Sequence, residues 1–174
     1  QFNNTTAISN MEIWERFEPA KVDWTLIPGD GPKTVYIRFK DESNNISDII
    51  TTEIILDTKP PIGEITINEG SKFVNHADGL VNIKIISEDG KGIQITNRPD
   101  FTDIKLEPFV PDINNWALDG EDGVKTVFVR LRDEAGNFSN VITSSIILDR
   151  QPPTELKMLI NEGNEWLTNT ARKT

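Results

Sequence analysis

The chain has 174 residues, a net charge of −10 and no cysteine. A strongly acidic protein repels phosphate backbones, which argues against nucleic acid as a partner, and a chain without cysteine has neither disulfides nor thiolate metal sites. No run reaches the roughly 18 apolar residues that a membrane helix needs, so membrane insertion is not expected. No signal peptide is visible, and because the chain opens on Gln1 we expect a processed product or an excerpt of a longer protein.

The first predicted elements are two strands joined by a turn. Apolar and polar residues alternate over 34–40, and over 50–56 one face carries Ile50, Thr52, Ile54 and Leu56 while Glu53 falls on the other. A period of two is typical of strands with one buried face. Between them, Ser43-Asn44-Asn45 supplies residues that tolerate a positive φ, which predicts a turn. Pro60-Pro61 ends the second strand, because proline cannot donate to a strand ladder. The stretch predicts a β-hairpin followed by a stiff linker.

Residues 58–149 are predicted to form a complete unit of about seven short strands. Their apolar centres are, in chain order, Ile65 and Ile67, Phe73 and Val74, Val81 to Ile85, Ile93 and Ile95, Trp116 and Leu118, Val127 to Leu131, and Ile142 to Leu148. Residues 98–115 are expected to be irregular, since their three prolines exclude helix interiors. No window shows helical periodicity, so the predicted fold class is all-β, built as tandem antiparallel β-sandwich domains.

One stretch of the sequence occurs twice. Residues 125–153 repeat residues 33–61 at a constant offset of 92, and 16 of the 29 positions are identical. A fixed period indicates a repeat array. We therefore predict three parts: 1–57, the C-terminal part of a repeat in which Ile8-Ser9-Asn10 resembles Ile95-Thr96-Asn97; 58–149, a complete repeat; and 150–174, the first strands of a further repeat.

The last part restarts the pattern of the complete repeat. Leu159 to Gly163 repeats Thr66 to Gly70, and Trp166-Leu167 stands where Phe73-Val74 stood, within one residue. Two interpretations remain open. The chain is an excerpt of a longer array, or residues 154–174 complete the open unit of another copy by strand addition, which would give head-to-tail polymerisation.

Several motifs of the complete repeat together resemble a known family. They are Ile67-Asn68-Glu69-Gly70, Ile95-Thr96-Asn97, Trp116-Ala117-Leu118, Gly123 to Val127, Asp133-Glu134-Ala135-Gly136-Asn137, and Ile147-Leu148-Asp149 with Pro152-Pro153. This set is similar to the bacterial immunoglobulin-like repeats of surface, secreted and phage structural proteins. The resemblance implies a non-catalytic structural role at the cell surface or outside the cell, as a stalk, a spacer, or a filament or surface-layer component. The alternatives are an adhesin that binds glycan or a host receptor, and a virion fibre or decoration protein.

Acidic loop residues give candidates for a calcium site. Four could supply oxygen ligands: Asp89, Asp119, Glu121 and Asp122. Three more lie near the linkers and could bridge neighbouring units through an ion: Asp57, Asp133 and Asp149. The loops lack the alternating ligand order of a calcium loop, so ordinary turn chemistry is the competing interpretation. No other cofactor is expected.

The aromatic residues give candidates for ligand binding. Trp24 and Trp116 recur at the offset of 92, so packing explains them better than a ligand does. Trp14 and Trp166 are less constrained and are the candidate contacts to a glycan. His76 is the single histidine; without cysteine, and without a serine in a nucleophile-elbow context, no catalytic site is predicted. We expect no enzyme, and partners that are neighbouring repeats, copies of the chain itself, or a glycan or surface receptor.

Overall fold

The computed structural model describes residues 2–3, 14–20, 24–159 and 163. Over these ranges the chain consists of β-strands, loops and one 3-10 turn at Asn68–Gly70, with no α-helix. The predicted all-β class with antiparallel sheets is therefore confirmed. The described ranges also contain no helix with the length and apolar character needed to cross a membrane.

The first sheet contains three antiparallel strands in the order β1-β2-β3. Their bounds are Phe2–Asn3 for β1, Gly31–Ile37 for β2 and Ile50–Leu56 for β3. The hairpin of β2 and β3 pairs from Gly31 opposite Leu56 to Ile37 opposite Ile50. This is the hairpin that the alternating pattern predicted.

The other eight strands form two further sheets. Their bounds are Gly63–Ile67 (β4), Phe73–Val74 (β5), Leu80–Ser87 (β6), Gly92–Thr96 (β7), Glu107–Pro108 (β8), Asp112–Ala117 (β9), Gly123–Arg132 (β10) and Ile142–Leu148 (β11). One sheet has the order β4-β6-β9 and the other β5-β11-β10-β7-β8. All their pairings are antiparallel except that of β5 with β11, which is parallel.

The hydrophobic core lies between these two sheets and draws on both of them. Its buried side chains are Ile67, Val74, Val81, Ile83, Ile85, Ile93, Leu118, Val127, Val129, Leu131, Ile146 and Leu148. Along β6 and β10 they occupy every second position, because successive side chains of a strand point to opposite faces. The alternation read from the sequence therefore identified the buried face of these strands correctly.

The two copies of the repeated stretch fold into the same local structure. β10 and β11 pair from Gly123 opposite Leu148, which reproduces the β2–β3 register at the offset of 92. The turn after the first strand takes a positive φ at Asn44 in one copy, 69°, and at Gly136 in the other, 103°. The turn predicted at Ser43-Asn44-Asn45 is confirmed, and Asn44 takes the positive φ that glycine takes in the other copy.

One strand boundary was predicted incorrectly. β9 is Asp112–Ala117, whereas the sequence predicted a strand at Trp116–Leu118 and an irregular stretch before it. The pairing of β9 with β6 shifts register between Val81 and Ile83, and Asn115 has a φ of 58°. Such an irregularity breaks the period of two by which a strand is recognised. β8 was missed for another reason: it is a two-residue edge strand, where proline is tolerated.

Candidate functional site

The calcium candidates of the sequence do not converge on one centre. Asp119, Glu121 and Asp122 belong to the turn before β10, and Asp89 lies in the loop after β6. Asp122 is already engaged, because Arg150 donates to it from Nε at 2.6 Å and from its backbone N–H at 2.9 Å. Within the described ranges, no three His, Asp or Glu side chains are grouped so that they could hold one metal ion. Calcium binding stays a prediction.

Some of the linker aspartates do meet, in a cleft where the first linker reaches the second hairpin. We call this the junction cleft; its volume is about 290 Å³ and its lining residues are Asp57, Lys59, Glu88, Asp89, Lys91, Asp133 and Glu134. It brings together Asp57, Asp89 and Asp133 from the two groups of candidates. Asp149 does not line it, and two lysines are interspersed with the five carboxylates. The cleft marks the place where the two copies of the hairpin are joined.

The turn at Asp133 forms one wall of the junction cleft and is held by its own hydrogen bonds. Asp133 Oδ1 accepts from the backbone N–H groups of Gly136 (2.7 Å) and Asn137 (2.8 Å), and Oδ2 accepts from Asn137 Nδ2 (2.9 Å). Asp133 is 7% exposed. In the first copy, Asp41 and Asn45 make the equivalent bonds at 2.8 Å. The turn is therefore a structural motif of both copies.

Asn137 has a second role that Asn45 does not share in the described contacts. Its Nδ2 also donates to the backbone carbonyl of Asp57, at 3.1 Å and 80 residues away along the chain. This bond ties the end of the first hairpin to the turn of the second. Sequence reasoning missed Asn137 as a contact residue, although the signal was present: the Asp-x-x-x-Asn spacing recurs at the offset of 92.

The linker between the hairpins is held from both sides. From the first copy, Asp30 Oδ1 accepts from the backbone N–H (3.1 Å) and hydroxyl (2.8 Å) of Thr58. From the second, Ser87 Oγ donates to the carbonyl of Ile62 at 2.7 Å. Pro61, between these anchors, is buried. The Asp30–Thr58 contact recurs at the offset of 92 as Asp122–Arg150, so each linker is fixed by an aspartate of the preceding turn.

The aromatic candidates that the structure describes contact other side chains of the protein. Trp14 is half-buried, with the Arg38 guanidinium 5.3 Å and the Lys40 ammonium 4.9 Å from its ring centroid. Such contacts are attractive through the ring quadrupole, and they place Trp14 beside the segment that follows β2. Trp116 is half-buried against the core and donates from Nε1 to Asn97 Oδ1 at 2.7 Å. Trp166 lies outside the described residues.

Two other expectations concern His76 and Trp24. His76 is exposed and its Nδ1 lies 3.9 Å from the carboxylate of Asp78, which is also exposed. Trp24 is half-buried. The absence of an enzyme activity stays a prediction. The predicted match of Ile8-Ser9-Asn10 to the later chain lies outside the described residues.

Comparison with the profiles of known protein families and with curated proteins finds no match to this chain. The resemblance to bacterial immunoglobulin-like repeats therefore remains a prediction, and the functional argument depends on the geometry described above.

The Asp133 turn predicts how stability depends on pH. Burial raises the pKa of Asp133, but the hydrogen bonds from Asn137 and Gly136 outweigh it and hold the pKa below its ordinary value. A carboxyl with a lowered folded-state pKa stabilises the fold above its unfolded pKa, and this stabilisation is lost as pH falls through the folded value. We expect the free energy of unfolding to fall below about pH 4. Asp133→Asn should flatten that decline in urea unfolding measured at several pH values.

The control for this prediction is Glu134→Gln, which removes a carboxylate that takes no part in the hydrogen bonds of the Asp133 turn. It should leave the acid decline as steep as in the unmodified chain. An acid decline of equal steepness in the Asp133 and Glu134 variants would contradict the prediction.

Proposed function

We propose that the protein is a non-catalytic structural protein of immunoglobulin-like sandwich repeats, acting outside the cell or at its surface as a spacer. Support comes from the strand order. With β4, β6 and β9 taken as strands A, B and E, and β7, β10 and β11 as C, F and G, the two sheets follow the order of an immunoglobulin sandwich. The recurrence of the β10–β11 hairpin as β2–β3 supports a second unit of the same kind.

The observation that carries the proposal is the fixed linker. A spacer must hold its ends apart, and a chain of units does so only if the joints resist bending. Here the joint has a buried proline, hydrogen bonds to both neighbouring units, and the Asn137 bond to Asp57. A merely flexible tether needs none of these contacts. The acidic surface fits this function, since a net charge of −10 opposes collapse and non-specific association.

The test compares Asn137→Ala with its repeat equivalent, Asn45→Ala. Both remove the same bonds within a turn, but only Asn137→Ala also removes the bond to the linker. Because the chain has no cysteine, spin labels can be placed uniquely through Thr51→Cys and Thr143→Cys, at exposed positions of the two hairpins. We expect a narrow distribution of label-to-label distances that broadens in Asn137→Ala.

Asn45→Ala should leave the distance distribution as narrow as in the labelled parent chain. If the parent distribution is already broad, or if the two alanine variants broaden it equally, the joint is not fixed by these contacts and the spacer function is contradicted.

A further inference from the structure

The two copies of the hairpin differ in how well their equivalent apolar faces are covered. Ile146 in β11 is 2% exposed, whereas Ile54, its equivalent in β3, is 56% exposed. Leu131 is 0% exposed and its equivalent Phe39 is 42% exposed. The sequence pattern of the two faces is the same, so the difference lies in what packs against them. We call the apolar side chains of β3, Ile50, Ile54 and Leu56, the open face.

The complete copy shows which elements cover the equivalent face. β11 packs against β4 and β5, and β5 pairs with it in parallel, with Phe73 opposite Ile147 and Val74 opposite Leu148. Ile67 of β4 and Val74 of β5 belong to the same core cluster as Ile146 and Leu148. In the first sheet, β3 is an edge strand in the described chain. An exposed edge beside an apolar face is a template for strand addition.

The same chain carries a second segment with the pattern of β4 and β5. We call residues 154–174 the tail. At an offset of 93, the tail repeats Ile67-Asn68-Glu69-Gly70 identically as residues 160–163 and places Leu167 at the position of Val74. Gly163 has a φ of 85°, against 87° at Gly70, so the glycine of the repeated turn has the same backbone conformation. Met158, at the position of Ile65, is exposed.

We infer that the tail of one copy covers the open face of a second copy. The tail adds in parallel to the free edge of β3, with Trp166 and Leu167 opposite Ile55 and Leu56, as Phe73 and Val74 lie opposite Ile147 and Leu148. Each copy offers one open face and one tail, so the contact is heterologous and generates open head-to-tail chains. The inference rests on the sandwich architecture of the proposed function but not on the fixed linker. It predicts that individual spacers join end to end into a filament.

The test uses two variants of the full chain that are each defective in one half of the contact. Ile54→Asp introduces a charge into the open face, and Leu167→Asp introduces one into the tail. Light scattering on a sizing column should give the unmodified chain a mass that rises with concentration above 19.6 kDa. Each variant alone should remain at 19.6 kDa, because it lacks either an acceptor or a donor. An equimolar mixture should give a species of twice that mass.

The matched control is Thr51→Asp, which places the same charge on the opposite face of β3 at an exposed side chain that the tail does not pair with. It should associate as the unmodified chain does. The β-sheet signal in circular dichroism checks that each variant is folded. If Ile54→Asp unfolds, Leu167→Asp still tests the contact from the side of the tail. An unmodified chain that is monomeric at every concentration, or a mixture without the doubled mass, overturns the inference. A narrow label-to-label distribution in that monomer would leave the spacer function standing.

Discussion

Ile146→Ala is expected to lower the free energy of unfolding by about 2–5 kcal/mol, the range for truncating a buried isoleucine. The reason is the position of Ile146 in the core cluster, where it is 2% exposed and packs beside Leu148 and the strands of the opposite sheet. Removing its outer carbons loses their burial and leaves a cavity that the two sheets cannot close completely. Urea unfolding of the dilute full chain, followed by circular dichroism, measures the loss.

The repeat supplies an unusually close control for this substitution. Ile54→Ala makes the same chemical change at the same position of the other hairpin, where the side chain is 56% exposed. Its expected cost is about 0.5 kcal/mol or less, as for surface substitutions generally. Equal losses at the two positions would mean that the two faces are equally covered in solution, which would contradict the difference in burial.

Gly63→Ala is expected to cost about 1–3 kcal/mol, although alanine is usually the smallest of changes. Gly63 opens β4, directly after the linker. A β-carbon there would lie 2.9 Å from the backbone carbonyl oxygen of Ile86 and 2.6 Å from a methyl group of Leu131. The side chain can move, but the carbonyl belongs to the β4–β6 ladder, so the strand itself must shift. Thermal unfolding of the full chain gives the measurement.

The neighbouring substitution Glu64→Ala is the control for Gly63→Ala. Glu64 is exposed in the same strand, and its removal should change the free energy of unfolding by no more than about 0.5 kcal/mol. If Gly63→Ala is as well tolerated as Glu64→Ala, the approach of β4 to β6 and β10 is looser than described.

The strands of residues 63–148 could be predicted because most of them bury one face only. Val127, Val129 and Leu131 alternate with half-exposed residues, and that alternation is readable without any knowledge of the partner strand. β9 could not be located in this way, because its irregular pairing with β6 and the positive φ of Asn115 remove the period. The sequence also could not predict whether the apolar face of a strand is covered by other strands, because Ile54 and Ile146 have equivalent sequence surroundings and opposite exposure.

The junction was only partly predictable for a related reason. The double prolines indicated a stiff linker, and Asp57 and Asp133 were singled out as residues near it. The interaction that joins the two hairpins, however, runs from a side-chain amide to a backbone carbonyl 80 residues away. A sequence does not indicate which backbone carbonyl accepts a side-chain hydrogen bond, because every residue has a carbonyl. A repeat can identify Asn137 as a turn residue, but only the packing of the folded chain shows what else that amide contacts.

The linker contacts have a mechanical consequence. A pull along the chain would act on the Asn137–Asp57 and Ser87–Ile62 hydrogen bonds before it reached the interleaved side chains between the sheets. Peeling residues 57–62 away would release at most about 3.5 Å of length per residue, while the sheets stayed intact. The joint would thus yield first under tension and could close again when the load is removed, because nothing in the core has been disturbed.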